Sequence, residues 1–258
     1  MNNLNFIDTH AHIYFEDYTK KLDSIINSSL NNNVNKILMP NINSSSIEKI
    51  LKVSNLYPKI CYPMLGLHPC YVKDNYIDEL QIIKSFIDNT KIVAIGEIGI
   101  DLYRDINYYK YQIDAFERQC HWALENNLPV VIHTRNSLKE TIKIVKKPIF
   151  KNLSGVFHCF DGSYVEAKQI IDLGFLLGIG GIYTFKNSNL RKTLFDINIE
   201  NLVLETDSPF LSPEPNRGKV NEPANIIYIA EMLAKTSSIP LSKIAQITSQ
   251  NALNLFDL

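Results

Sequence analysis

The sequence predicts one α/β domain over residues 1–258, a TIM-type (β/α)8 barrel, and three observations carry that prediction. Eight short apolar runs alternate with longer amphipathic stretches, and each gap has room for one helix. The runs are continuous and rich in Ile and Val, as parallel strands buried on both faces are. Six of the eight end at or near a histidine or a carboxylate. An open doubly wound sheet is the competing architecture, but only a closed ring brings so many strand ends to one point.

The elements follow in order. Residues 4–7 form the first strand, leading into His10-Ala11-His12, two histidines two apart that share one face of an extended segment. Residues 34–39 and 60–67 form the second and third strands, the latter ending in Gly66-Leu67-His68-Pro69. The fourth is 92–95, followed by Gly96-Glu97-Ile98-Gly99. A helix over 107–126 carries Ile113, Phe116, Cys120, Ala123 and Leu124 on one face, and Asn126-Asn127-Leu128-Pro129 ends it. The fifth strand, 129–132, leads into His133, and the sixth, 155–157, into His158. Ser163 caps the next helix and Gly174 ends it. Residues 175–179 and 202–204 complete the strands, the last followed by Glu205-Thr206-Asp207. One or two helices follow Pro223, with Pro240 between them.

Composition narrows the function classes. The hydrophobic fraction of 45% and charged fraction of 21% are those of an ordinary globular protein. A net charge of −1 gives no global basic field, so attraction to a polyanion must be local, in a cleft or through bound cations. No apolar run reaches the roughly 18 residues of a membrane span. Met1-Asn2-Asn3 lacks the features of a secretory leader, and the four cysteines form no CxxC pair. A cytoplasmic protein with free thiols is expected.

Of the six histidines, five lie at strand ends: His10, His12, His68, His133 and His158. His121 lies mid-helix beside Trp122 and reads as a packing residue. One strand-end histidine is usually structural; five at equivalent places in a repeating pattern point to divalent metals. Glu97 follows an apolar run, where a carboxylate is costly unless paired, to Arg135 for instance, or bound to metal, and a carboxylate can bridge two cations. Asp207 is either a metal ligand and base or a turn cap. Asp8 is a candidate partner for an imidazole, and the role of Glu205 stays open. His68 and Arg135 are candidates to hold an anionic oxygen; a plain ion pair is the alternative for Arg135. Arg217 and Lys219 lie in a loop on the same face.

These residues carry a family resemblance. Phe6-Ile7-Asp8-Thr9-His10-Ala11-His12, Gly66-Leu67-His68-Pro69, Ile95-Gly96-Glu97-Ile98-Gly99-Ile100-Asp101, Pro129-Val130-Val131-Ile132-His133-Thr134-Arg135, His158-Cys159-Phe160-Asp161-Gly162 and Glu205-Thr206-Asp207-Ser208-Pro209-Phe210-Leu211 together resemble the TatD-like metal-dependent deoxyribonucleases of the amidohydrolase-like superfamily. The resemblance covers nearly the whole chain. It implies two divalent metal ions, one held by His10, His12 and Asp207 and the other by His133 and His158, with Glu97 bridging. It also implies Mg²⁺ or Mn²⁺ in function, with Zn²⁺ possible by ligand type, and DNA as substrate, cut as a 3′–5′ exonuclease on single-stranded or damaged strands. Glu97 and Asp207 would be catalytic, with Asp207 orienting or deprotonating water. Two alternatives stay open: a two-metal hydrolase of a small-molecule amide, ester or phosphoester, and a non-catalytic metal-binding scaffold. The oligomeric state is open, a monomer being compatible with the sequence.

Overall fold

Parallel strands and helices alternate along the chain in a computed structural model that describes residues 4–258; the reading of Met1-Asn2-Asn3 lies outside them. The order is β1 (Phe6–Asp8), α1 (Glu16–Thr19), α2 (Leu22–Asn31), β2 (Val34–Pro40), α3 (Ile47–Leu56), β3 (Cys61–Met64), α4 (Tyr76–Ile87), β4 (Ile95–Asp101), α5 (Tyr109–Asn126), β5 (Val130–Arg135), α6 (Leu138–Val145), β6 (Gly155–Phe157), α7 (Tyr164–Asp172), β7 (Phe175–Ile179), α8 (Leu190–Thr193), β8 (Leu202–Leu204), α9 (Ile226–Ser237) and α10 (Leu241–Phe256). Strands β1 to β3 pair in sequence, as do β4 to β8. Two parallel bridges, Leu65 with Ile95 and Ala11 with Ser208, join these sheets at both seams and close the ring. Among the described residues, no helix is long and apolar enough to cross a membrane.

Strand periodicity sets the layers. Ile7, Leu38, Met64, Val131, Val156 and Val203 share one buried cluster inside the barrel. Their neighbours Ile37, Met39, Val130, Ile132, Leu202 and Leu204 belong to a second cluster, packed with the surrounding helices. A period of two sends alternate side chains to opposite faces, so each strand supplies both cores. Ala252 and Phe256 of α10 join the inner cluster. That helix crosses the amino ends of the strands, where Ser249 Oγ donates to the Asn5 carbonyl and Asn251 Nδ2 to that of Leu202. With the amino end covered, the carboxyl end is left to form a site.

The helix ends follow local chemistry. Ser163 and Glu166 form a reciprocal capping box at the start of α7. Asn127 sits at φ 53° just past α5, the left-handed cap that asparagine tolerates. The fourth strand differs from expectation: it runs from Ile95 to Asp101 rather than stopping at Ile95. Gly96 and Gly99, which follow the apolar run, lie within the strand. Gly99 has φ +141°, and a Cβ there would come within 2.1 Å of the His133 carbonyl oxygen, so glycine is what lets β4 and β5 approach. The third strand is shorter than expected, ending at Met64.

Candidate metal centre

The inner apolar layer places the polar layer above it. Two residues beyond Val131, Val156 and Val203 stand His133, His158 and Glu205, one pleat nearer the carboxyl end. Glu97 reaches the same level by another route. The pairing of β4 with β5 shifts between Ile95 and Ile98, and such a bulge re-aims a side chain; Glu97 is 2% exposed. The remaining residues meet through closure of the barrel: the Asp207 amide donates to the His10 carbonyl (2.9 Å) and the His12 amide to that of Ser208 (2.7 Å). Asp207 sits at φ +55°, a left-handed conformation that costs a non-glycine residue energy and clusters at functional sites.

The two oxygens of Glu97 serve two sides. Oε2 lies 3.2 Å from His10 Nε2 and 3.7 Å from His12 Nε2. Asp207 Oδ1 stands 3.8 and 3.6 Å from the same two nitrogens. Oε1 lies 2.9 Å from His133 Nδ1, 3.3 Å from His68 Nε2 and 3.9 Å from His158 Nε2. The His158 ring also stacks on His10, with centroids 3.5 Å apart, which sets it between the two sides.

Hydrogen bonds on the far side of each ring decide which nitrogen offers a lone pair to the centre. Tyr14 donates its hydroxyl proton to the Pro40 carbonyl (2.8 Å). It can therefore only accept from His12 Nδ1–H (3.0 Å), which leaves His12 Nε2 bare toward Glu97 and Asp207. Asp101 Oδ2 lies 3.0 Å from His133 Nε2 and Glu97 Oε1 2.9 Å from Nδ1, so without an ion each ring nitrogen holds a proton between it and a carboxylate, and a cation at Nδ1 would displace the one facing Glu97. Glu205 Oε1 lies 3.0 Å from His158 Nδ1, close in distance but off in angle, as Nδ1 has no aligned hydrogen-bond partner among the described residues. His68 is the reverse case. Its Nδ1 accepts from the Cys70 amide (3.0 Å), so its proton sits on Nε2 and points inward. A neutral His68 thus brings a donor to the centre, where His12 brings an acceptor. Both ring nitrogens of His10 are buried without a hydrogen-bond partner among the described residues, although Nε2 is near Glu97. An orphaned buried imidazole beside carboxylates is what a metal ligand looks like without its ion. Groups of candidate ligand atoms, each mutually within 4.8 Å, occur on both sides of Glu97: His10, His12 and Glu97 on one, His68, Glu97 and His133 on the other.

The charge balance fits cations. Burial opposes ionisation of Glu97, but His68 and His10 outweigh it and hold its carboxyl well below the usual range. Burial lifts Asp207 to about 7 against the pull of His158, with Glu97 and Glu205 adding repulsion. Burial holds His10, His12 and His158 below the ordinary imidazole value, favouring the neutral, ligating form. His133 is the exception. Burial pulls it down, but Asp101 and Glu97 lift it to about 9.

The structure brings His10, His12, His68, Glu97, His133, His158 and Asp207 into one cluster. Arg135 stands at its edge, exposed, its guanidinium 3.8 Å from the centroid of the Tyr103 ring; it is not the partner of Glu97. Arg217 stacks likewise on Phe185 at 3.6 Å. His121 packs against Phe150, as expected. Asp8 corrects an expectation: its carboxylate holds no imidazole but accepts from the amides of His10 and Thr206 and from the Thr206 hydroxyl, tying β1 to the segment after β8. Sequence reasoning missed Tyr14 and Asp101 as partners of ring nitrogens and left open Glu205, which lies beside His158 Nδ1. The signal was a period of two, since Tyr14 continues His10 and His12 while Asp101 follows Glu97 and Gly99. For Glu205 the signal lay on another strand, where a Cβ at Gly178 would come within 2.4 Å of its Oε2, so glycine leaves the slot that this carboxylate fills.

Known proteins are similar to this chain over nearly its whole length. YabD of Bacillus subtilis, described as an uncharacterized metal-dependent hydrolase, is 35% identical over 250 residues, covering 96% of this chain and 98% of YabD. BU355 of Buchnera aphidicola, described in the same words, is 35% identical over 265 residues, covering 98% and 99%. Among solved structures, the TatD homologue YjjV of Escherichia coli superposes over 100% of both chains with a TM-score of 0.93 at 27% identity. A TatD-family hydrolase of Entamoeba histolytica matches over 98% of both chains, with a TM-score of 0.85 at 24% identity, and supports the fold. The TatD related DNase family profile matches residues 7–257, so this chain belongs to that family of metal-dependent hydrolases.

Proposed function

We propose that the protein is a divalent-metal-dependent DNase that hydrolyses phosphodiester bonds at a two-metal site, acting as a 3′–5′ exonuclease on single-stranded or damaged DNA. One observation carries the reading: a buried carboxylate turns one oxygen to each of two imidazole clusters. His10, His12 and Asp207 would hold one ion, His133 and His158 the other, and Glu97 would bridge. Mg²⁺ or Mn²⁺ is the expected working ion, with Zn²⁺ as an alternative that imidazole ligands also suit. The free cysteines support a reducing, cytoplasmic setting.

When bound, two cations neutralise the phosphodiester charge and acidify water. The chain supplies the rest. Asp207, beside His10 and His12, would orient or deprotonate the attacking water. His68 directs Nε2–H at a phosphate oxygen, as a neutral electrophile. Arg135, with one face on Tyr103, keeps the edges of its guanidinium for a second oxygen.

Purified protein incubated with a 5′-labelled single-stranded oligonucleotide tests the reading. A ladder shortening from the 3′ end in Mg²⁺ or Mn²⁺, and abolished by EDTA, is the expected result. Intact oligonucleotide with folded, metal-loaded protein would transfer the proposal to a small-molecule amide, ester or phosphoester, the reading that a net charge of −1 favours.

Tyr14 gives a second prediction. Tyr14→Phe leaves a buried His12 N–H unpaired and frees the ring to adopt the other tautomer. Mn²⁺ affinity, measured by titration calorimetry, is expected to fall by roughly 10–100-fold on the His12 side, while the fold, followed by circular dichroism, persists. Unaltered affinity would remove Tyr14 from the support of the centre.

A further inference from the structure

The rings of the centre form a continuous run across the barrel mouth. His12 and His10 have centroids 5.1 Å apart, His10 and His158 3.5 Å, His158 and His133 6.4 Å, and His133 and His68 4.5 Å. The run continues past the histidines at both ends. Phe210 stands edge-on to His12 at 6.1 Å, and Tyr71 edge-on to His68 at 6.2 Å. Whereas the histidines between them are largely buried, Phe210 is 51% and Tyr71 42% exposed.

Both exposed rings stand on anchored main chain. The Phe210 amide donates to the Asp207 carbonyl (2.8 Å), and its own carbonyl accepts from Asn221 Nδ2 (2.7 Å), an asparagine with no exposed surface. The Tyr71 amide donates to the His68 carbonyl (2.9 Å). Each ring is therefore fixed three residues from a side chain of the centre, yet left outside the core. Among the exposed aromatic rings of the described residues, these two stand against histidines of the centre, where a ligand of that centre would meet them.

Its placement defines the ligand. Between the rings lies a cluster suited to cations and, through them, to an anion, so the ligand carries negative charge in the middle and flat apolar groups on both sides. A single strand meets this description, because each phosphodiester is flanked by two bases. A duplex does not, because its bases stack on one another. We propose that Phe210 and Tyr71 are stacking platforms for the two unpaired bases that flank the scissile phosphate, which makes single strands and frayed ends the substrate whatever their sequence. Every base has a π-face, so such stacking is tolerant of sequence. The inference rests on the nuclease reading of the same site and adds to it the residues that select unpaired DNA.

A substrate–variant cycle tests it. Phe210→Ala, Tyr71→Ala and Phe210→Leu are compared with wild type on an oligonucleotide carrying all its bases, and on two others that carry an abasic spacer at the terminal or the penultimate position. Each alanine is expected to raise KM about tenfold, with the loss on KM rather than kcat. Removing one flanking base from the substrate should cost wild type a similar factor. The alanine variant should then lose nothing more on the substrate lacking the base that its ring would have met, with Phe210 and Tyr71 coupled to different bases. Phe210→Leu keeps an apolar side chain without a π-face and should behave as Phe210→Ala, with Mn²⁺ binding retained as the mark of a folded centre. Equal losses on intact and abasic substrates, or a leucine variant with wild-type KM, would overturn the stacking role while leaving the nuclease in place. Wild type that cleaves no oligonucleotide in Mg²⁺ or Mn²⁺ would overturn both.

Discussion

Glu97→Gln should abolish metal-dependent cleavage, by at least about a thousandfold, which is roughly 4 kcal/mol of transition-state stabilisation. The substitution keeps the shape of the side chain and removes its charge. It also turns one oxygen into an NH₂ donor. With Oε1 2.9 Å from His133 Nδ1 and Oε2 3.2 Å from His10 Nε2, the new donor must face one cluster or the other and fill a lone pair offered to an ion. The second cluster keeps a carbonyl oxygen, a weaker ligand for a hard cation than a carboxylate. Metal analysis of the purified variant is therefore expected to find at most one tightly held ion. Stability moves differently. Glutamine keeps the volume and shape of the buried side chain, so circular dichroism should show the variant folded. A folded variant with two ions and activity within tenfold of wild type would remove Glu97 from the bridge.

The resemblance between expectation and structure is uneven for physical reasons. Strands β6, β7 and β8 lie where the apolar runs lie, because strands buried on both faces are written as continuous hydrophobic residues. Strand β4 is not written that way. Its second half, Gly96-Glu97-Ile98-Gly99-Ile100-Asp101, mixes glycine and carboxylate with isoleucine, and only its pairing with β5, Ile100 beside Thr134 and Asp101 beside Arg135, identifies it as a strand. The strand-end histidines were legible because their positions repeat. The groups that set their protons were not. Whether an aspartate reaches a ring nitrogen depends on a few ångströms: Asp8 and Asp101 both accept from backbone amides, and only Asp101 turns its second oxygen to an imidazole.

His133→Ala is the sharper test of the other side of the centre, since it should lose one ion and most activity, on the order of a hundredfold or more. His133 is the imidazole held between two carboxylates, Glu97 at 2.9 Å and Asp101 at 3.0 Å. Burial pulls it down, but these partners lift it to about 9, so the metal-free protein carries the imidazolium at neutral pH. The folded-state value lies above the unfolded one. Its contribution to the metal-free fold is thus fully present below about 6.5 and is lost as pH rises through about 9. Metal binding runs the other way, because an ion at Nδ1 must displace the proton. Affinity on this side should rise about tenfold per pH unit until pH approaches 9, and calorimetry in buffers of different ionisation enthalpy should register close to one proton released at pH 7. Alanine at 133 removes both the ligand and the proton, so the surviving ion, on the His10 and His12 side, should bind without that release. Full activity with two bound ions in His133→Ala would place the second cation elsewhere and leave Asp101 and Glu97 as an ion-pair clamp on a structural histidine.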